Sequence, residues 1–131
     1  MRVAAPLVLF AAAACARAGP PRDAPADSAM LAIGERSFQK CYACHSLEGP
    51  DPNTEGPSLK GVLGRGVAAQ PGFVYSEAMR SYAARQPRWT RQTLDAFVAD
   101  PQRVVPGNRM GFFGIPNAEE RRALIAYLAR S

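Results

Sequence analysis

Cys41-Tyr42-Ala43-Cys44-His45 is the stretch that decides the fold of this 131-residue chain. It has the pattern C-x-x-C-H, whose two thiols can each form a thioether with a vinyl group of haem. The imidazole of His45 follows directly and can bind the iron from one side. We therefore predict one covalently attached haem, held in the way that suits electron transfer.

His45 is the only histidine in the chain. Haem ligation by two histidines is therefore excluded, a zinc site lacks ligands, and no histidine remains as a base for a catalytic pair elsewhere. Thiol redox chemistry by the C-x-x-C pair is the alternative to haem attachment. That chemistry is typical of a βαβ context, and the chain shows no strand-like alternation.

The sixth iron ligand has to come from a methionine, a lysine or nothing. Met1 falls in an expected export signal, and Met30 precedes the haem motif. Met79 lies on a predicted helix, where packing is its ordinary role. Met110 lies in the loop of residues 105–114, whose path Pro and Gly residues restrict, so we favour it over Met79. A thioether ligand is neutral and soft, and it raises the redox potential.

Three side chains are candidates to bind the negatively charged haem propionates. Arg65 lies in a Gly-Arg-Gly turn and can form an ion pair. Tyr75 and Trp89 can donate from their O–H and N–H groups. The alternative roles are an exposed charge for Arg65 and an ordinary core aromatic for Trp89.

Residues 1–18 resemble an export signal, with a positive start, an apolar run and a small-x-small cleavage pattern at Ala16-Arg17-Ala18. The apolar run is too short to span a bilayer. Ala12-Ala13-Ala14-Cys15 also resembles a weak lipoprotein box, in which cleavage before Cys15 would leave a lipid anchor. We favour removal of Cys15 with the signal. The two motif cysteines then remain, which is not a disulfide framework.

The formal net charge is +5, and removal of Arg2 and Arg17 leaves 14 basic against 11 acidic residues, or +3. This mild excess suits docking to acidic protein surfaces and falls short of a nucleic-acid-binding signature. The candidates for a basic docking rim are Arg36, Lys40, Lys60, Arg103 and Arg109.

The chain is expected to form one all-α domain. Residues 19–28 are rich in Pro, Ala and Asp and predict a disordered linker, followed by the domain at 29–131. Residues 47–73 are rich in turn-forming residues and need a support such as a haem edge. Helices are predicted at 29–40, at 76–84 with Ser76 as its cap, at 90–99 with Thr90 as its cap and Pro101 beyond its end, and from Asn117 onward. The last has a capping box closed by Glu120.

A set of motifs from about Gly34 to Leu128 resembles the class I c-type cytochromes, the family of mitochondrial cytochrome c and its soluble bacterial relatives. Besides C-Y-A-C-H with Gly34 and Phe38 before it, the set comprises GPSLKGVLGR at 56–65, PGFVYS at 71–76, Trp89, Leu94, VPGNRM at 105–110, Gly114-Ile115 and LIAYL at 124–128. The resemblance implies the cytochrome c fold, in which short helices and long loops surround the haem.

The resemblance also implies a role for each matching residue. His45 and Met110 match the axial ligands, and Pro57 matches the residue whose carbonyl accepts from the histidine ring. Arg65, Tyr75 and Trp89 match propionate partners. Asn108 stands in place of a threonine near a propionate. Further departures are Phe97 for a tyrosine and Met79 for an asparagine, from which we expect an altered potential and unchanged ligation.

The function that the resemblance implies is transfer of one electron at a time between membrane-associated redox complexes of a respiratory or photosynthetic chain. The expected donor is a quinol–cytochrome c reductase, and the acceptor is a terminal oxidase or another reductase. The protein would be an exported, periplasmic monomer and not an enzyme. The alternatives are a membrane-tethered subunit of one oxidoreductase, or a haem enzyme or gas-binding protein in which Met110 is labile.

Overall fold

The structure is a computed structural model that describes residues 25–131. These residues form five helices: α1 (Pro25–Tyr42), α2 (Glu77–Arg85), α3 (Arg91–Ala99), α4 (Pro101–Val104) and α5 (Ala118–Leu128). In this part of the chain the only β pairing is an isolated bridge between Gly66 and Arg88. The all-α prediction is therefore confirmed, whereas the expected signal and residues 19–24 of the linker lie outside the described residues.

The first helix is longer than predicted, because it begins at Pro25 and includes the last residues of the expected linker. The fourth helix was missed. Pro101 read as a stop signal after α3, but it occupies the first position of α4, where its missing N–H costs nothing. The Asp100 side chain caps α4 by accepting from the backbone N–H of Arg103 at 3.0 Å.

The predicted helix caps lie at the expected residues. Ser76 accepts from the backbone N–H of Met79, and Thr90 forms a reciprocal capping box with Thr93. Asn117 accepts from the N–H groups of residues 119 and 120. The capping box predicted for Glu120 was wrong in its second half, because its carboxylate accepts from side chains of α1 instead.

Helices α1 and α5 cross in close contact, and Gly34 makes this possible. A Cβ atom at Gly34 would lie 2.2 Å from the carbonyl oxygen of Ala123 and 2.7 Å from the Cβ of Tyr127. Phe38 packs one turn further along α1, with its ring centroid 5.9 Å from that of Tyr127. The core continues from this crossing through Leu124 and the buried residues of α3.

The turn-rich segment 47–73 is held by backbone hydrogen bonds rather than by regular structure. The N–H of Gly64 donates to the carbonyl of Trp89 at 2.7 Å, and the N–H of Trp89 donates to the carbonyl of Arg65 at 2.9 Å. These bonds fasten the loops to the stretch before α3 and leave a cavity between the loops and the helices. None of the helices within residues 25–131 is both long and apolar enough to cross a lipid bilayer.

Candidate haem site

All nine residues predicted from the sequence to contact haem border a single cavity of about 440 Å³. They are Cys41, Cys44, His45, Pro57, Arg65, Tyr75, Trp89, Asn108 and Met110. The remaining walls of the cavity are largely apolar and include Val62, Leu94, Phe97, Leu124 and Leu128. A cavity with apolar walls and a few converging polar groups is the usual form of a cofactor site.

The haem-attachment motif lies in the turn that ends α1. The N–H groups of Cys44 and His45 both donate to the carbonyl of Cys41, at 3.0 and 2.9 Å. This turn directs both thiols and the imidazole to the same cavity. The two cysteines form no disulfide, so both sulfurs can attach haem.

The environment of Cys41 argues against the thiol-redox alternative. Burial raises the pKa of the Cys41 thiol to about 11, and the nearby Lys40 ammonium offsets only part of this effect. A redox-active C-x-x-C pair needs a lowered thiol pKa. The described residues also provide no βαβ unit around the motif.

His45 is oriented by a hydrogen bond from its Nδ1–H to the carbonyl of Pro57, at 2.7 Å. Because a carbonyl can only accept, the proton must lie on Nδ1, and Nε2 is left with a free lone pair for iron. Burial lowers the pKa of His45, although the Pro57 hydrogen bond opposes this shift. The loop passes so close that a Cβ atom at Gly56 would lie 2.4 Å from the imidazole Cε1, so a glycine is needed there.

Arg65 provides the clearest sign that an anionic group belongs in the cavity. Its Nη1 donates to the carbonyl of Lys60 and the side chain of Gln70, and Nη2 donates to the carbonyl of Ser58 at 2.6 Å. Its Nε is buried and has no hydrogen-bond partner among the described residues. An unsatisfied buried donor costs about 1–3 kcal/mol, and a haem propionate would remove that cost. The residues present therefore fit haem.

Tyr75 and Trp89 border the same cavity as Arg65. The Tyr75 hydroxyl accepts from the N–H of Gln70 at 3.2 Å and keeps its own proton to donate. Burial raises the pKa of Tyr75, so the phenol is neutral at physiological pH. Trp89 is buried and packs against Phe97 with ring centroids 5.1 Å apart.

The loop that carries Met110 is held at both ends. Near the start of the loop, the Asn108 side chain donates to the carbonyls of Pro101 and Val105 at the ends of α4 and accepts from the N–H of Met110. At the far end, Arg121 donates to the carbonyls of Ile115 and Pro116 and pairs with Asp95 of α3 at 2.8 Å. The Met110 side chain therefore lies in the cavity on a fastened loop.

Asn108 has partners other than the propionate that the resemblance implied. Both N–H groups of its amide donate to backbone carbonyls, those of Pro101 and Val105. A propionate can only accept, and the amide has no further donor to offer it. Asn108 borders the cavity, but its side chain serves the loop.

Met79 and Glu55 are among the cavity residues that the sequence did not place there. Met79 was expected to be a packing residue, and it both packs against the core and borders the cavity. Glu55 was not singled out. It also borders the cavity, and its carboxylate lies 3.9 Å from the Cys44 sulfur. Its position immediately before Gly56-Pro57 was the only available signal.

The five residues of the predicted docking rim are all exposed. Lys40 and Arg109 border the cavity. Lys40 also pairs with Glu120, and Arg103 pairs with Asp100 at 3.6 Å. Of these five residues, Lys40 and Arg109 therefore place their positive charge closest to the cavity.

The fold and the site together define a class: an all-α protein that attaches haem c through C-x-x-C-H. Comparison with known proteins narrows this class. The chain is 40% identical over 98 residues to cytochrome c2 of Agrobacterium tumefaciens, a match that covers 75% of this chain and 88% of that protein. It is 38% identical over 109 residues to cytochrome c of Chlamydomonas reinhardtii, which covers 82% of this chain and 95% of that one. The chain therefore belongs to the cytochrome c family, whose members are electron carriers rather than enzymes.

A longer relative and a solved structure agree with this assignment. The chain is 44% identical over 96 residues to the c-type cytochrome cy of Rhodobacter capsulatus, but it spans only 46% of that protein's length. Among solved structures, cytochrome cH from Methylobacterium extorquens superposes with a TM-score of 0.69 at 35% identity, covering 77% of this chain and 98% of that one. No protein-family model matches the chain. The prediction of a covalently attached haem c is confirmed.

Proposed function

We propose that this protein carries one electron at a time between membrane-associated redox complexes of a respiratory or photosynthetic chain. The observation that carries the proposal is the convergence of Cys41, Cys44, His45 and Met110 on one apolar cavity. Haem c, when bound there, supplies reversible one-electron chemistry between Fe(III) and Fe(II). The protein would then supply both axial ligands of the iron, exclude water from the haem and leave one haem edge accessible to redox partners.

His45 and Met110 are the proposed axial ligands. The Pro57 carbonyl fixes the imidazole so that Nε2 is free to bind iron. Asn108 and Arg121 hold the loop of Met110 on the cavity. If His45 and Met110 both bound the iron, no position on it would remain for a substrate.

Arg65, Tyr75 and Trp89 are the proposed propionate partners. The unpartnered Nε of Arg65 and the hydroxyl proton of Tyr75 are donors in the cavity wall. Charge-assisted hydrogen bonds to carboxylates are about twice as strong as neutral ones. These contacts would fix the rotation of the porphyrin within the cavity and offset the burial of its negative charge.

The ligation is tested by absorption spectra of the haem-loaded protein, oxidised, then reduced, then exposed to CO. We expect sharp low-spin bands, a weak far-red band from Met–Fe(III) ligation and no response to CO, because Met110 occupies the sixth position. A high-spin spectrum or prompt CO binding would instead indicate an open iron, and the enzyme or gas-binding alternative would then replace electron carriage.

Partner docking is proposed at the cavity mouth, where Lys40 and Arg109 lie. A quinol–cytochrome c reductase would be the donor, and a terminal oxidase or another reductase the acceptor. Weak association steered by opposite charges suits a carrier that must release each partner quickly. Arg36, Lys60 and Arg103 would extend the positive surface around that mouth.

Salt dependence of the reaction tests this docking. The second-order rate with a quinol–cytochrome c reductase should fall several-fold as ionic strength rises from about 0.05 to 0.5 M, because salt screens the attraction. Arg109→Gln should lower the low-salt rate and flatten the dependence, whereas Arg91→Gln, an exposed change on α3, should do neither. A wild-type rate that is independent of salt would refute charge-steered docking.

Export to the periplasm is proposed from the composition of residues 1–18. Cleavage after Ala18 would release a diffusing monomer, whereas cleavage before Cys15 would leave a lipid-anchored one on the short linker that follows. Stable anchoring requires more than one acyl chain. The mass of the mature N-terminus distinguishes these two forms.

A further inference from the structure

We infer that Asn108 is a positioning residue that holds Met110 in place as an iron ligand and controls how readily it leaves. This inference rests on the proposed ligation by Met110. Asn108 is one of the few buried polar residues, with 7% of its surface exposed. Its Nδ2 donates to the carbonyls of Pro101 at 3.0 Å and Val105 at 2.8 Å, and its Oδ1 accepts from the Met110 N–H at 2.8 Å.

The two bonds from Nδ2 join the loop to both ends of α4, and the third holds the N–H of Met110 to the same side chain. Pro101 is the fully buried first residue of that helix, and Val105 is its C-cap. The Val105 carbonyl also accepts from the Asn108 N–H at 3.1 Å, across a turn in which Gly107 has a φ of +82°. The side chain thus fixes the Met110 backbone, two residues away, against a short helix whose first residue, Pro101, is buried.

Gln102 supports the same arrangement from the outer side. Its side-chain amide donates to the carbonyl of Asn108 at 3.1 Å. The loop is therefore bonded through the main chain as well as through the Asn108 side chain. Gly111 and Phe112, which also border the cavity, come directly after Met110 in the chain.

The chemistry of an asparagine amide explains why this residue type stands here. It has two donors and an acceptor on one short, planar group, and all three functions are used. A threonine, which the cytochrome c resemblance led us to expect at this position, can accept from the N–H two residues on, but more weakly. It has a single proton to donate, so it cannot bond both carbonyls. Asn108 therefore stabilises the ligand loop in a way that threonine cannot reproduce.

Imidazole binding to the oxidised, haem-loaded protein tests this role. Imidazole can take the sixth position only after Met110 leaves, so its apparent affinity, followed by loss of the far-red band, reports how often the ligand bond opens. Because three buried hydrogen bonds are lost, Asn108→Ala should bind imidazole about 10- to 100-fold more tightly than wild type. Asn108→Thr should give an intermediate increase, since it retains one bond to Met110.

Ile125→Ala is the matched control. Ile125 is buried in α5 and is not among the residues that border the cavity. Its truncation should lower the denaturant midpoint at least as much as Asn108→Ala, yet leave imidazole affinity within about threefold of wild type, since large-to-small core changes act on global stability. If Asn108 only stabilised the fold, Asn108→Ala would behave like Ile125→Ala. It would lower the denaturant midpoint without a comparable change in imidazole affinity.

Each outcome bears on the inference in a defined way. Equal imidazole affinity in wild type and Asn108→Ala, or an equal increase in Ile125→Ala, would overturn it while Met110 ligation stands. A wild-type protein without the far-red band would overturn the proposed ligation itself. If Asn108→Ala fails to incorporate haem, Asn108→Thr decides the question, because an affinity equal to wild type would overturn the inference.

Discussion

Replacement of Met110 by alanine should open the sixth position of the haem iron. The far-red band should disappear, the oxidised spectrum should gain high-spin character and the reduced protein should bind CO promptly. Loss of the thioether removes the ligand that favours Fe(II), so the midpoint potential should fall by about 0.1–0.3 V, within the roughly 0.8 V range that axial ligands span. Spectra and a redox titration of the purified protein measure all of these effects.

Met79→Ala is the control for this experiment, because Met79 also borders the cavity. It lies on α2, where it packs against the core. The substitution should lower stability slightly and retain the far-red band. If Met79→Ala loses the band and Met110→Ala keeps it, the two methionines have been assigned the wrong way round.

Replacement of Gly34 by alanine should destabilise the protein by about 3 kcal/mol, a large overpacking effect. The added methyl group would lie 2.2 Å from the Ala123 carbonyl oxygen, a backbone atom that cannot rotate away. Helices α1 and α5 would have to separate. Alanine has the higher helix propensity, by up to about 1 kcal/mol, so a net loss of stability would come from the contact itself.

Equilibrium unfolding of the haem-loaded protein in guanidinium chloride measures this effect. Glu35→Ala is the control, because it places alanine at the neighbouring, exposed position of the same helix. That change should alter the free energy of unfolding by no more than about 0.5 kcal/mol. A Gly34→Ala variant as stable as Glu35→Ala would show that the helix crossing tolerates a wider separation.

The two variants probe separate parts of the fold. Gly34 lies where the helices cross, and Met110 lies on a loop held by Asn108 and Arg121. Arg121 is mostly buried, with 13% of its side chain exposed, and its pair with Asp95 links α5 to α3. The loop that carries Met110 is thus bound to three helices, α3, α4 and α5, which explains how a segment without regular structure can hold the proposed ligand in place.

The starts of the helices could be predicted from the sequence, because their signals are local. Ser76, Thr90 and Asn117 cap their helices as expected, because an N-cap bond involves only the next two or three residues. Glu120 shows the limit of such reasoning. Its spacing from Asn117 fits a capping box, but its carboxylate accepts from Ser37 and Lys40, which lie 83 and 80 residues away in the chain.

The candidate site likewise contains residues that the sequence identifies and residues that only the structure places there. The C-x-x-C-H motif names its cofactor because the chemistry requires those residues in that order. Glu55 and Met79 belong to no recognisable sequence motif. They border the cavity because the fold places the loop of Glu55 and helix α2 beside it. The unsatisfied Nε of Arg65 is likewise visible only once its burial and the partners of its other nitrogens are known.

The sequence by itself indicated the haem, the histidine proposed as its ligand, the helix caps and the family, because each depends on short-range spacing or on an ordered set of motifs. The tertiary structure alone decided what the buried polar groups bind. Asn108 is bound to α4 and Met110 rather than offered to a propionate, since both its protons are used by carbonyls that folding brings within 3.0 Å. A buried donor takes whichever acceptor the packing places beside it, and the acceptors of Asn108 lie at the two ends of α4, a helix that the sequence did not predict.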